Sequence, residues 1–228
     1  MTIAVQASQG IWGKIKSYWS KNYQCLTRNP RLFWMRKLAR FEVIRNWISY
    51  SYKRKGSSYT MAQGNSSVFK DLNVDNIVSS LEKDSYCLGL NLPQDIVQEL
   101  LDYTKSEVCY ADRDPNLPFL YSEKEQLEAS LGRQLRLGSY LQADNCPAVK
   151  KLESDPGLLA IAAKFLGARP VHMATEIWWS FPVQATPIDQ LKAAQVFHYD
   201  LDDYRFIKFF FYLTDVDLSS GPHILIRG

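Results

Sequence analysis

Apolar residues first recur at helical spacing in the N-terminal fifth of the chain. Trp34, Leu38, Phe41, Ile44 and Ile48 fall three or four positions apart and predict one helix, with Asn29 as its cap and Pro30 in its first turn. A second amphipathic pattern opens at Pro93 and carries Ile96, Val97, Leu100 and Leu101. Ser122-Glu123-Lys124-Glu125 matches a capping box and predicts a further helix start. Asp155-Pro156 begins another, which runs through Leu158, Leu159, Ile161, Ala162, Phe165 and Leu166 until Gly167 stops it. Beyond Gly167 the period shortens to two. Residues 171–181, 195–200, 206–213 and 223–227 predict strands, separated after the first by a loop over 182–194 in which Pro187 forbids a continuous ladder. Helices first and an antiparallel sheet afterwards predict an α+β fold. There is no internal repeat.

Charge changes the picture at the N-terminus. The 228 residues carry a net charge of +3, with 27 Lys+Arg against 24 Asp+Glu. Residues 1–60 hold 12 of the basic residues and one acid, Glu42, so they carry +11, and the rest carries −8. Four of the six tryptophans (Trp12, Trp19, Trp34 and Trp47) lie in the same basic stretch. Gly56-Ser57-Ser58 through Gly64-Asn65-Ser66-Ser67 predicts a linker. The expected organisation is a basic, aromatic, helical arm with its linker over 1–67 and a main domain over 68–228. Basic residues interleaved with tryptophan and tyrosine over 11–55 allow three roles. The arm can lie on an anionic membrane surface, pack as a helical extension on the main domain, or contact nucleic acid, for which there is no fold signature.

Other features restrict the class. No apolar run approaches the ~20 residues of a membrane span, and residues 1–10 lack the pattern of a secretory signal. Cys25, Cys87, Cys109 and Cys146 are scattered, with no C-x-x-C pair, as expected of reduced thiols in a cytoplasmic protein, one that can be peripheral at a membrane.

The candidate chemistry lies in His198-Tyr199-Asp200. In a strand, positions i and i+2 share a face, so this imidazole and this carboxylate would converge as two of the three ligands of a 2-His-1-carboxylate iron site. Asp202 and Asp203 follow, but the run lacks the glycine and glutamate of a calcium loop. An H-x-D tripeptide taken alone also fits a hydrogen-bonded structural histidine beside solvated carboxylates. His172 and His223 fit structural roles better than metal ligation.

The longer context is more specific. Gln195-Val196-Phe197-His198-Tyr199-Asp200 leads through Phe206 into Phe209-Phe210-Phe211-Tyr212-Leu213-Thr214-Asp215-Val216-Asp217, then Gly221-Pro222-His223. This resembles the phytanoyl-CoA dioxygenase family of Fe(II)- and 2-oxoglutarate-dependent oxygenases, most strongly over 195–228 and more loosely back to about Val74, including a strand start at Asp84-Ser85-Tyr86. Residues 1–67 do not share the resemblance. It implies a helical N-terminal half leading into a double-stranded β-helix (jelly roll), with His198 and Asp200 as Fe(II) ligands. The family's distal histidine and its 2-oxoglutarate-binding arginine would fall past Gly228. The chain is therefore expected to be C-terminally truncated relative to the family, with an incomplete jelly roll whose 206–213 strand is partly uncovered.

The implied reaction couples oxidative decarboxylation of 2-oxoglutarate to hydroxylation of a C–H bond in a small organic or lipid-like substrate. Asp200 favours hydroxylation, because related halogenases carry a small residue at that position. Lys208 and Gln195 are candidates for the co-substrate pocket. Glu176, Trp178 and Trp179 are candidates for the substrate cavity, although core packing also accounts for the tryptophans. The alternative is a non-catalytic remnant or binding module acting through the basic arm. Neither substrate identity nor oligomeric state is legible.

Overall fold

A computed structural model describes residues 11–54, 66–183 and 196–227. The chain divides into two compact units: Met1–Lys55 with Tyr199–Phe206, and Gly56–His198 with Ile207–Gly228.

Among the described residues the first unit contains the helices α1 (Ile11–Arg28), α2 (Pro30–Leu38) and α3 (Glu42–Arg54). Asn29 caps α2 as expected, its side chain accepting from the Leu32 amide at 3.1 Å with Pro30 in the first turn. Met35 is its buried residue, and Ala39, the C-cap, is buried as well. The single helix expected through Ile48 is broken at residues 39–41. The Arg45 guanidinium donates to the Ala39 carbonyl at 2.7 Å, and the Phe41 carbonyl accepts from the amides of Ile44 and Arg45. A cation satisfies a carbonyl that would otherwise end a helix unpaired.

The second unit is built of helices packed with a small antiparallel sheet. Its helices are α4 (Val74–Asp84), α5 (Gln94–Ser106), α6 (Lys124–Leu131), α7 (Pro147–Glu153) and α8 (Pro156–Leu166). Its strands are β1 (Cys109–Ala111), β2 (Pro118–Phe119), β3 (Leu137–Tyr140) and β4 (Ile177–Ser180), in the order β2-β1-β3-β4. The β3–β4 ladder pairs Leu137 with Ser180 and Tyr140 with Ile177. Gly138 is closely packed in it: a Cβ there would stand 3.1 Å from the Phe119 ring and 3.2 Å from the Cys109 sulfur.

Local signals act where the sequence places them. Pro93 precedes α5, whose Ile96 and Leu100 are buried. Asp155 is buried and caps α8, accepting from the amides of Gly157 and Leu158 at 2.8 and 2.9 Å. Its carboxylate also binds the Val68 amide at 2.7 Å and the Ser67 hydroxyl at 3.0 Å, so one cap fixes the start of the domain as well. Gly167 ends α8 at φ +68°, in the left-handed region that glycine enters without a Cβ clash. At α6 the cap is displaced. Glu123 accepts from the Leu120 amide at 3.0 Å, and a 3₁₀ turn over Tyr121–Glu123 precedes the helix.

Two buried clusters form the core. Cys109, Ala111, Phe119, Leu135, Tyr140 and Phe181 make the first; Ile96, Leu100, Cys146, Ala148 and Val149 make the second. Tyr103 and Ile177 pack against both. Asp112, at φ +51°, anchors the turn after β1. It accepts from the amides of Arg136 and Leu137 and from the Arg133 guanidinium at 2.5 Å. Burial alone would raise this carboxyl, but Arg133 and the two amides outweigh it and hold it below its ordinary range.

Several expected strands need correction. Of 171–181 only Ile177–Ser180 is a strand. The described parts of 195–200, 206–213 and 223–227 carry none. At Asp84-Ser85-Tyr86 the chain ends α4 instead: Ser85 sits at φ +66° and its amide bonds the Leu81 carbonyl at 3.1 Å. The observed architecture is mixed helix and antiparallel sheet.

Candidate metal centre

His198 lies in a segment with no ladder, so no strand pleat aims its ring. Its Nδ1 is 2.8 Å from the Val196 carbonyl oxygen, and the side chain is exposed. A neutral imidazole that donates from Nδ1 carries its lone pair on Nε2, the nitrogen then able to ligate a metal. Metal-binding histidines recurrently spend their second nitrogen on a backbone carbonyl in this way. Asp200 is half-buried. Covalent geometry keeps residues two apart within about 7 Å at Cα, whatever the local fold. Among the described residues, no three side chains of His, Cys, Asp and Glu are grouped to hold a metal ion.

In the first unit, Tyr199 lies under the Arg45 guanidinium, 5.3 Å from ring centroid to charge centre. The Asp203 carboxylate accepts from the Tyr204 amide at 2.7 Å. The acidic run therefore belongs to the same unit as the basic helices.

The remaining candidates are dispersed. Lys208 is exposed in the stretch 207–214. Gln195 lies outside the described residues. Glu176 is exposed and paired with Arg113 at 3.1 Å. Trp178 is half-buried on β4, opposite Ser139. Trp179 is a packing residue: its ring lies 4.4 Å from that of Tyr121, and its indole N–H donates to the Tyr140 hydroxyl at 3.1 Å. A cleft of about 650 Å³ is lined by Phe69, Leu72, Ile77, Cys87 and Leu90 among others, and by none of these candidates.

The other histidines have defined partners. The His223 amide donates to the Tyr212 hydroxyl at 2.8 Å, and its Nδ1 is 2.9 Å from the same oxygen. His172 Nε2 is 2.9 Å from the Thr175 hydroxyl and 3.5 Å from a Glu153 oxygen.

Sequence reasoning missed a buried polar chain behind β3. Trp179 donates to Tyr140, whose hydroxyl donates to the Thr104 carbonyl; a separate, exposed bond runs from Tyr103 to the Gln142 carbonyl at 2.6 Å. Burial raises the Tyr140 hydroxyl and pushes the Cys109 thiol up to about 11. A thiol so protonated is a packing group and no nucleophile at neutral pH. Cys87, Cys109 and Cys146 are free thiols. No sequence signal marks this chain, because its bonds join residues 36 and 39 positions apart.

Comparison with protein-family models, with curated proteins and with solved structures found no match. Among the described residues, no helix is long and apolar enough to cross a membrane.

Proposed function

We propose that the chain is an Fe(II)- and 2-oxoglutarate-dependent oxygenase of the phytanoyl-CoA dioxygenase type, hydroxylating a C–H bond of a small organic or lipid-like substrate. The observation that carries this reading is the His-x-Asp segment, with His198 Nδ1 held on the Val196 carbonyl at 2.8 Å. In that tautomer Nε2 is the ligating nitrogen, and Asp200 supplies the carboxylate. His198 and Asp200 would be two of the three protein ligands. Iron so held supplies oxygen activation coupled to decarboxylation of the co-substrate.

The burial pattern after the motif supports the same reading. Ile207, Phe209, Phe211 and Leu213 are half-buried, whereas Lys208, Phe210, Tyr212 and Thr214 are exposed. This is the alternation of a strand, with apolar residues on both faces. The half-buried face of this run is apolar throughout, as the inner face of a jelly-roll strand is.

The test is an anaerobic titration of the purified protein with Fe(II), then with 2-oxoglutarate, followed by visible absorbance. A charge-transfer band that needs both additions and disappears in His198→Ala and Asp200→Ala is the expected result. Absence of the band, or its persistence in both variants, would refute the assignment.

A further inference from the structure

The helices of the first unit expose the wrong face for water. On α3, Val43, Trp47 and Tyr50 stand at i, i+4 and i+7 and are 80%, 71% and 65% exposed, while Ile44 and Ile48, about 100° round the helix, are half-buried. A helix facing water shows polar residues on its outer stripe. On α1, Trp19 and Tyr23 are exposed one turn apart, with Lys16 exposed beside them. Trp34 on α2 and Phe41 after it are exposed too, among the exposed cations Arg31, Arg36 and Arg40.

We propose that these helices form a peripheral docking surface for an anionic lipid bilayer. The proposal is independent of the metal reading. Tryptophan and tyrosine are the side chains that settle at the level of lipid headgroups, an apolar body on the acyl side and a polar tip in water. Arginine and lysine beside them meet anionic headgroups and pass their alkyl stems along the apolar surface. Charge selects this occupant over a second copy: with the acidic run 200–203 counted, the first unit still carries +9, so two copies repel. Val43 selects it over nucleic acid, because the most exposed side chain of the stripe is aliphatic and offers no ring for a base. No described helix can span a membrane, so docking is confined to the interface.

The experiment is co-sedimentation of the whole protein with large vesicles, one set of phosphatidylcholine alone and one with phosphatidylserine added. Tryptophan emission is recorded in parallel. Binding to the anionic vesicles is expected to be roughly tenfold stronger or more, to weaken in high salt, and to shift the emission to the blue. The double substitution V43S/W47S should reduce anionic-vesicle binding roughly tenfold, and R36E/R40E should remove the preference for phosphatidylserine. Both pairs are exposed, and unchanged circular dichroism verifies that the helices persist. Equal binding to both vesicle types, or none to either, would overturn the proposal. So would tighter binding to a single-stranded oligonucleotide, or self-association that V43S/W47S abolishes.

Discussion

Leu137–Tyr140 and residues 207–213 belong to the same compact unit, and their sequences point opposite ways. Leu-Gly-Ser-Tyr holds one strong strand former, yet it is the central strand β3, paired on both sides. Ile-Lys-Phe-Phe-Phe-Tyr-Leu is rich in strand formers and alternates half-buried with exposed positions, yet no ladder forms along it. The difference is the partner. β3 finds β1 and β4 at registers that bury Gly138, Ser139 and Tyr140. The later stretch has anchors rather than neighbours: Phe211 stacks on Phe69 at 6.0 Å, and Leu213 packs against the second core cluster. Strand preference expresses fit to a pleated, half-buried surface, and it takes effect only where a second backbone completes the hydrogen bonds.

The comparison can be broken most severely at Asp155. Asp155→Ala would leave the amides of Val68, Gly157 and Leu158 and the Ser67 hydroxyl without their acceptor. The expected loss is about 4 kcal/mol, since a lost cap and unpaired buried donors add. Urea denaturation measures it, and a loss below about 1 kcal/mol would show that the tie carries no weight.

A matched pair of truncations sharpens the contrast between packed and anchored regions. Leu135 is 0% exposed, and Leu135→Ala should cost about 3 kcal/mol. Leu225 is 64% exposed, and Leu225→Ala should change stability by no more than about 0.5 kcal/mol. Equal costs in the two variants would remove the distinction.

A smaller effect concerns pH. The Asp112 carboxyl is held below its ordinary range by Arg133 and by the Arg136 and Leu137 amides, against the raising effect of burial. Its contribution is therefore present above the unfolded carboxylate value and is lost as pH falls through the folded one. Asp112→Asn should cost about 1 kcal/mol near neutrality and flatten the acid limb of stability against pH. An unaltered acid limb would exclude Asp112 as a source of it.

What the sequence made legible follows the same division. As helix starts and stops, Asn29-Pro30, Pro93, Asp155-Pro156 and Gly167 act within about four residues of themselves, so reading them required no knowledge of the fold, whereas the tie from Asp155 to Ser67 and Val68 was not legible. The break between α2 and α3 was not visible, because apolar spacing continues through it while Arg45 takes the Ala39 carbonyl. β1 and β2 are three and two residues long, too short for any alternation to register. At the candidate centre the spacing of His198 and Asp200 was legible as a candidate ligand pair. The contact that orients His198 was not, because it is a bond to a backbone oxygen, which every residue carries.

The central claim is that His198 and Asp200 hold iron and that the segment around them gains order when they do. Hydrogen exchange resolved along the chain, with and without Fe(II) plus 2-oxoglutarate, tests it directly. Amides of β1 and β3 should be protected in both states. Amides of residues 196–213 should slow only when both additions are present, and not in His198→Ala. Protection of 196–213 that is unchanged by the additions, or that rises equally in His198→Ala, would contradict the claim.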